Sequence, residues 1–158
     1  VLAVDVDEAV LSLTESMAKA NGVEKDVTLS NRDAIYDLLE LDPSERTLII
    51  CDCEGCEFAI FDGRVIPNLV NSDLIVEMHY SVQLITTSGG ALEPIISERE
   101  FSGRFIESHD VEHIIPRENK ADDYDLGYLP VIATKEFLYE TREQDAEWLV
   151  LRSKSARR

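Results

Sequence analysis

Six side chains that could bind a ligand or move a proton follow the strands that hydrophobic patterning predicts. Carboxylates stand at the ends of four apolar segments, and a histidine accompanies the last of them. Carboxylates accept hydrogen bonds from hydroxyl and amino groups, and an imidazole exchanges its proton near neutral pH. Together they are suited to hold a polar ligand and to exchange one proton with it. The six residues are Asp5, Asp33, Asp52, Glu54, Glu77 and His79.

A carboxylate at the end of a strand has a simpler use, which is to cap the next helix. Its oxygen accepts a backbone N–H of the first helical turn, and Asp7 is placed to do this for a helix starting at Glu8. In an open α/β sheet, however, ligands bind at the carboxyl ends of the strands. A series of acids at successive strand ends therefore favours a ligand pocket over a set of independent caps.

The elements that would position these side chains alternate between strands and helices. Apolar strands are predicted over residues 1–6, 27–30, 47–53, 74–78, 111–115 and 147–153. Helices are predicted over residues 8–21, 35–41 and 97–108, with another that starts after the turn at residues 54–55 and continues towards residue 70. This alternation favours an α/β fold, with a mostly parallel sheet and helices on both faces. The last two strands lack a clean helix between them, which predicts an antiparallel hairpin at one edge.

The length of 158 residues fits one domain, which we assign to residues 1–158. Within it, residues 81–146 carry no motif that we can match to a chemistry. Residues 81–94 lack a clear period, and residues 118–127 form an acidic, irregular segment. We expect a substrate loop or lid and edge elements over 81–146, and acceptor specificity to reside there.

The composition argues against several classes of partner. Lys and Arg total 15 against 32 Asp and Glu, which gives a formal charge of -17. Such a surface repels phosphate backbones, so we expect no nucleic-acid partner and no binding to an anionic membrane. No apolar run approaches the roughly 18 residues needed to span a bilayer. Nothing resembles a secretory signal, so a cytoplasmic location is the simplest interpretation.

Three cysteines lie within six positions, at Cys51, Cys53 and Cys56. A zinc site with His79 as the fourth ligand is one interpretation, but C-x-C-x-x-C is not the usual spacing of paired zinc ligands. Small thiols at apolar positions of a buried strand explain the pattern as well. We therefore predict reduced core cysteines and no metal ligands among them.

The segment CDCEGCEFAIFDGRVIPNL, followed by LIVEMHY, resembles the FkbM-type S-adenosylmethionine-dependent methyltransferases. That family carries Asp-x-Glu-Gly-x-Glu after its fourth strand and Glu-x-His at the end of its fifth. Upstream, AVDVDEAVLSL is similar to the second strand and helix of the wider methyltransferase pattern. SNRDA is similar to the segment after the third strand of that pattern. The final EWLVLRS suits the seventh strand. The residues that match the two family motifs are Asp52, Glu54, Gly55, Glu57, Glu77 and His79.

The resemblance implies a Rossmann-like methyltransferase sheet and S-adenosylmethionine as the cofactor. Asp5 would hold the ribose hydroxyls, and Asp33 would approach the adenine amino group. The implied cofactor contacts are Asp5, Val6, Asp33, Ala34 and Asp52.

The implied reaction is in-line transfer of a methyl group to an oxygen, most simply a hydroxyl of a small molecule or sugar. His79 is the candidate general base, because an ordinary pKa near 6.5 suits proton abstraction around neutrality. Asp52, Glu54 and Glu77 would orient His79 or the acceptor. These carboxylates could also hold Mg²⁺, but crowded carboxylates instead raise each other's pKa values, so we expect no metal.

One departure from the family pattern concerns the start of the chain. The family's first strand and its glycine-rich loop, which cradles the methionine part of the cofactor, would precede Val1. That strand lies in the middle of the family's sheet. Without it we expect a two-stranded remnant and a four-stranded remnant with unpaired edges, and we expect further residues upstream in the whole protein.

Two other functions fit part of the sequence. VLAVDVDEAVL resembles the Asp-x-Asp strand of haloacid-dehalogenase-type phosphohydrolases, with Asp5 as nucleophile, Asp7 as acid and Asp122-Asp123 helping to hold Mg²⁺. That interpretation leaves the series from Asp52 to His79 unexplained. The second is a non-catalytic, truncated Rossmann-like module that binds partners through its acidic surface. S-adenosylmethionine binding, Mg²⁺-dependent phosphatase activity, or neither, distinguishes the three functions.

Overall fold

The computed structural model of the chain describes residues 1–79, 98–114 and 147–157. Its strands are β1 (Leu2–Val4), β2 (Thr28–Ser30), β3 (Leu48–Cys51), β4 (Asp73–Met78), β5 (His109–Ile114) and β6 (Glu147–Ser153). Its α-helices are α1 (Glu8–Ala20), α2 (Ala34–Leu39), α3 (Glu57–Ile60) and α4 (Glu98–Gly103). Short 3-10 turns cover Glu24–Asp26, Ile66–Leu69 and Lys154–Arg157. The chain is therefore of mixed α/β type.

The strands form two separate sheets. β1 and β2 pair in parallel, and the other four strands form a sheet in the order β3-β4-β6-β5. In the larger sheet β3 and β4 are parallel, whereas β6 runs antiparallel to both β4 and β5. This confirms the antiparallel pair at one edge and the division into two-stranded and four-stranded parts. The larger sheet is therefore mixed: β3, β4 and β5 run in one direction, and β6, which lies between β4 and β5, runs in the other.

The core lies on one face of the larger sheet. Alternate residues of β4 and β6 point into it, because successive side chains of a strand face opposite sides. Helix α2, which follows the smaller sheet, contributes Ile35 and Leu38 to the same cluster. The fully buried apolar residues of this cluster are Phe61, Val65, Leu69, Leu74, Val76, Met78, Phe101, Phe105, Leu149 and Leu151.

Helix α2 is tied to the larger part of the molecule by Asn68. The amide Nδ2 of Asn68 donates to the carbonyl oxygens of Leu38 and Leu39, at 3.3 Å and 2.7 Å. These carbonyls lie in the last turn of α2, where backbone acceptors have no partner within the helix. The contact therefore caps α2 and fixes its position over the core.

The predicted element types are largely confirmed, although several boundaries move. Asp7 is the N-cap of α1, with its Oδ1 accepting from the Ala9 N–H at 2.7 Å. The long helix predicted after residues 54–55 is wrong: α3 is one turn, and a 3-10 turn with a proline near its start covers Ile66–Leu69. Proline lacks the N–H that a continuous helix would need there. The loop predicted at 81–94 and the acidic segment at 118–127 lie outside the described residues.

A gap separates the two sheets. Within the described residues, β1 pairs only with β2 and β3 only with β4. A cavity of about 400 Å³ lies between β1 and β3, lined by Val1, Leu2 and Val4 on one side and by residues 47–53 on the other. The apolar side chains of Leu48 and Ile50 are 60% and 67% exposed. The gap is therefore apolar and runs along the length of both strands.

No helix among the described segments is long enough and apolar enough to cross a lipid bilayer.

Candidate active site

A second cavity, of about 680 Å³, lies at the carboxyl ends of β1, β2 and β3. Its position follows from the topology, because the segment after each of these strands contributes to its wall. The five predicted cofactor contacts all line it, and Glu54 lies on the same rim; these six residues are Asp5, Val6, Asp33, Ala34, Asp52 and Glu54. The structure therefore brings these residues together around one cavity. Their assignment to particular groups of a cofactor stays a prediction.

Asp5 and Asp33 each use one carboxylate oxygen to stabilise the local backbone. Oδ1 of Asp5 accepts from the Asp7 N–H at 2.8 Å, and Oδ1 of Asp33 accepts from the Ile35 N–H at 3.1 Å as the N-cap of α2. Among the described residues neither Oδ2 has a hydrogen-bond partner. The capping role and the ligand-binding role are thus compatible, because each acid keeps one oxygen for a ligand.

Two arginines also line the cavity, but their charges are paired elsewhere. The Arg32 guanidinium contacts Asp37 at 2.7 Å and Glu40 at 2.5 Å, and Arg64 pairs with Asp62 at 2.5 Å. Because of the two carboxylates beside it, the pKa of Arg32 is raised above its already high ordinary value. These pairs occupy the guanidinium groups of both arginines, and the charge of Asp33 acts on Arg64 only as a minor contribution to its raised pKa.

Tyr36 is a lining residue that the sequence analysis did not single out. It stands one helical turn after Asp33 and is largely exposed, and with Leu39 and Ile60 it supplies apolar surface to the wall. The spacing of Asp33 and Tyr36 could have indicated it, since residues three apart on a helix share a face. An aromatic ring beside carboxylates suits a ligand with a flat apolar part and polar substituents.

The turn between β3 and α3 corrects the prediction for the cysteines. Cys53 and Cys56 form a disulfide, with their Cα atoms 5.6 Å apart. Glu54 and Gly55 between them both have positive φ angles, of 54° and 106°, and this reverses the chain within a few residues. Glycine adopts such angles without strain. The hydrophobic pattern of the preceding strand does not indicate that a turn of this kind follows. The expectation of three reduced core thiols is therefore wrong for Cys53 and Cys56.

Cys51 is the free cysteine. Burial, together with the nearby charges of Glu57 and Asp52, raises the pKa of its thiol to about 12. The protonated thiol is neither a good nucleophile nor a metal ligand at neutral pH. Since the other two cysteines are paired, the thiolates that a zinc site would require are not present, and Cys51 fits the predicted packing role.

His79 lies at the centre of a cluster of carboxylates at the end of β4. Its Nδ1 is 2.7 Å from Oε1 of Glu57. Its Nε2 is 3.3 Å from Oε2 of Glu54 and 3.7 Å from Oδ1 of Asp52. Asp52 and Glu54 belong to the rim of the larger cavity, whereas His79 is not among its lining residues. His79, the predicted base, therefore lies next to Asp52 and Glu54, the predicted orienting acids, with its Nε2 towards them.

The pKa of His79 is raised above its ordinary value of 6.5. Burial alone would lower it, because a charged imidazole loses its hydration. The hydrogen bond to Glu57 and the negative charges of Glu57, Glu54 and Glu77 outweigh that effect. The imidazolium form therefore persists to a higher pH than it does in a free histidine side chain.

Glu77 is set apart from the other predicted catalytic residues. It is buried within β4, and it is not among the residues that line the larger cavity. Its charge reaches His79, where it raises the pKa of the imidazole. Glu57, which the family motif includes but which the analysis gave no role, is fully buried and contacts His79 directly.

Oxygen and nitrogen atoms of Asp52, Glu54 and His79 lie within 4.8 Å of one another, a spacing that one cation could bridge. Exposed acids adopt such spacings without any ion, and both acids here are exposed. The phosphohydrolase interpretation uses Asp7 as its acid. The Asp7 carboxylate instead caps α1, and Asp7 is not among the residues that line the cavity. Asp122 and Asp123 lie outside the described residues.

No protein-family model matches the chain, and no curated protein matches it. The chain is similar to a solved structure described as the crystal structure of MccD protein, with a TM-score of 0.51 and 14% sequence identity. The similarity covers 97% of this chain and 79% of that chain. At this level of identity the likeness concerns the fold alone.

Proposed function

We propose that this chain is the core of an S-adenosylmethionine-dependent methyltransferase that acts on a hydroxyl of a small molecule or sugar. One observation carries the proposal. Asp5, Asp33 and Asp52, which follow three different strands, line a single cavity of about 680 Å³. This is the place and the size at which α/β sheets bind small ligands. The similarity of 147–153 to the seventh strand of a Rossmann-like methyltransferase sheet agrees with its position beside β4.

The lining fits the adenosine part of the cofactor. The ribose hydroxyls and the adenine amino group are donors, and the free oxygens of Asp5 and Asp33 are acceptors. Tyr36 and Ile60 offer apolar surface for a flat ring. The described residues include no glycine-rich loop that could cradle the methionine part, so the proposal assigns these residues to the adenosine part alone.

The bound cofactor would supply a methyl carbon activated by its positive sulfur. The chain itself has to hold the acceptor hydroxyl in line with that carbon and to take its proton. Asp52 and Glu54, at the rim, would accept hydrogen bonds from neighbouring hydroxyls of the acceptor, which leaves the proton of the reacting hydroxyl for His79. His79, with Nε2 3.3 Å from Glu54, receives the proton, and the charge of Glu77 helps to stabilise the resulting imidazolium. The proposal includes no metal ion, although Mg²⁺ could occupy the rim.

Binding of S-adenosylmethionine and S-adenosylhomocysteine, measured by calorimetry on the purified protein, tests the proposal. We expect Asp5→Ala and Asp33→Ala each to weaken binding by about tenfold or more, because each removes an acceptor that carries charge. Asp5→Asn and Asp33→Asn should weaken it less, since asparagine keeps the local backbone bond.

Asp42→Ala is the matched control. Asp42 also accepts a backbone N–H, from Ser44 at 2.8 Å, but it does not line the cavity. It should leave the affinity unchanged. If the wild-type protein binds neither compound, or if the Asp5 and Asp33 variants bind like the control, the proposal fails. Mg²⁺-dependent release of phosphate would then favour the phosphohydrolase, and no activity would favour the interaction module.

A further inference from the structure

We propose that Glu57 is a positioning residue that holds the His79 ring with Nδ1 inwards and Nε2 towards the rim acids, so that Nε2 is the atom that takes the proton. The inference rests on the proposed function, and it adds a residue to which no role had been assigned. Glu57 would not touch the substrate. It would act through the orientation and the protonation of His79.

The geometry that supports this begins with the burial of Glu57, whose exposed fraction is 0%. Its Oε1 lies 2.7 Å from Nδ1 of His79 and also accepts from the Gly55 N–H at 3.2 Å. The turn at residues 54–55 therefore holds Glu57 from one side while His79 contacts it from the other. The side chain of His79 itself is only 15% exposed.

This contact determines which ring nitrogen can act as a base. A carboxylate only accepts hydrogen bonds, so the Nδ1 beside it carries hydrogen in both protonation states of the ring. In the neutral ring the lone pair must then be on Nε2. Nε2 is buried and has no hydrogen-bond partner among the described residues, and it faces Glu54 and Asp52. An acceptor whose other hydroxyl groups donate to those acids would present the proton of its reacting hydroxyl to that lone pair.

A purely structural purpose is a poor explanation for a carboxylate at this position. Burying a charge is costly unless it is paired, and a well-packed apolar side chain would be as stable or more so. Oε2 of Glu57 has no hydrogen-bond partner within the described segments. The principal compensation for the charge is thus His79, which is what a positioning role requires.

The proton transfer that this arrangement permits is balanced. The acceptor O–H bond breaks, and its proton forms an N–H bond at Nε2. The oxygen's electron pair forms the new C–O bond, while the pair of the breaking C–S bond stays on sulfur. The carboxylate of Glu57 keeps its hydrogen bond with Nδ1 and stabilises the imidazolium, which later gives its proton to water. The groups that face His79 in the described residues are Glu57 on α3, Asp52 and Glu54 on the turn after β3, and Glu77 on β4.

Nitrogen NMR of protein labelled in its histidine rings tests the orientation without requiring activity. In the wild type above the pKa of His79, we expect hydrogen on Nδ1 and a lone pair on Nε2. Glu57→Gln removes the charge but keeps the size, so the pKa of His79 should fall and the preference for hydrogen on Nδ1 should weaken or reverse. Glu57→Asp keeps the charge and should restore part of both effects. Glu147→Gln, which alters the exposed partner 2.9 Å from His113, is the control and should not affect His79.

The catalytic consequence is measured separately, as S-adenosylhomocysteine formed from S-adenosylmethionine with a mixture of monosaccharides as acceptors. In Glu57→Gln we expect kcat to fall at least tenfold, with the affinity for S-adenosylmethionine unchanged and the acidic limb of the pH profile moved to lower pH. A wild-type ring with hydrogen on Nε2, or a Glu57→Gln variant that keeps both the wild-type NMR signature and kcat, overturns the inference. Failure of the wild type to bind S-adenosylmethionine instead overturns the proposed function, and the NMR result distinguishes the two failures.

Discussion

At the residue scale, the partly buried His79 and the buried His109 have pKa values shifted in opposite directions. His79 is surrounded by carboxylates, which raise its pKa. His109 is fully buried, with Nε2 donating to the Ser72 carbonyl at 2.8 Å, and burial lowers its pKa. The two sites therefore shift the pKa of the same residue type in opposite directions. The difference arises from the neighbouring charges.

The two histidines should give opposite dependences of stability on pH. A raised pKa in the folded state means that His79 stabilises the protein fully below its ordinary pKa of 6.5, and this contribution is lost as pH rises through the raised value. We expect the loss of unfolding free energy in His79→Gln to be largest near pH 6 and to shrink at higher pH. Urea unfolding of the variant and the wild type across that range measures it.

His109→Gln provides the opposite case. Its lowered pKa means that the folded state resists protonation, so its contribution is present above pH 6.5 and is lost as pH falls towards the folded value. The wild-type advantage over this variant should therefore increase with pH. Parallel pH dependences in the two variants would contradict the opposite directions of the two pKa shifts.

The cysteines lead to a second prediction at this scale. We expect the unfolded, unreduced chain to take up one alkyl group from iodoacetamide, and the reduced chain to take up three, because Cys53 and Cys56 are paired. In the folded protein at pH 8, Cys51 should react at least tenfold more slowly than a free thiol, since its pKa is raised to about 12. Intact mass measured over time gives both results, and rapid labelling of the folded protein would contradict them.

At the scale of elements, strand ends were easier to predict than turns. Asp5, Asp33 and Asp52 could be predicted to lie at one edge of the fold, because strands that run in the same direction have their carboxyl ends on the same side. The strand at 147–153 was predicted with the bounds it has. The disulfide turn was missed because it depends on two positive φ angles. The contact of Glu57 with His79 was missed because it joins residues 22 positions apart, which local patterning does not report.

Helix α2 carries Asp33 to the cavity, and Asn68 fixes it from a distant part of the chain. We expect Asn68→Ala to lower the free energy of unfolding by about 1 kcal/mol, because the Leu39 carbonyl loses its side-chain donor and the Leu38 carbonyl, which also accepts from the Leu41 N–H, loses one of its donors. Asn21→Ala is a suitable control, since its amide bonds the Met17 carbonyl of its own helix at an exposed site. Urea unfolding should show a smaller change for the control. Equal changes would mean that the contact between α2 and the core adds little.

At the scale of the whole molecule, the candidate site and the gap between the sheets share a wall. Val4, Ala34, Asp52, Cys53 and Ile60 line both cavities. The smaller sheet carries Asp5, and the larger sheet carries Asp52 and His79. The shape of the candidate site therefore depends on the two sheets keeping their relative position, to which the contact between Asn68 and α2 contributes.

The gap also bears on the solution behaviour of the protein. Within the described residues, β1 and β3 each have one edge without a strand partner, and the side chains of Leu48 and Ile50 are exposed there. An edge of this kind can pair with an extended segment of another molecule. A charge of -17 keeps identical molecules apart at neutral pH. Near the isoelectric point of about 4.4 that repulsion vanishes, whereas the exposed strand edges and their apolar side chains remain. We therefore expect self-association through these edges to be strongest in acid or at high salt, where the repulsion is weakest.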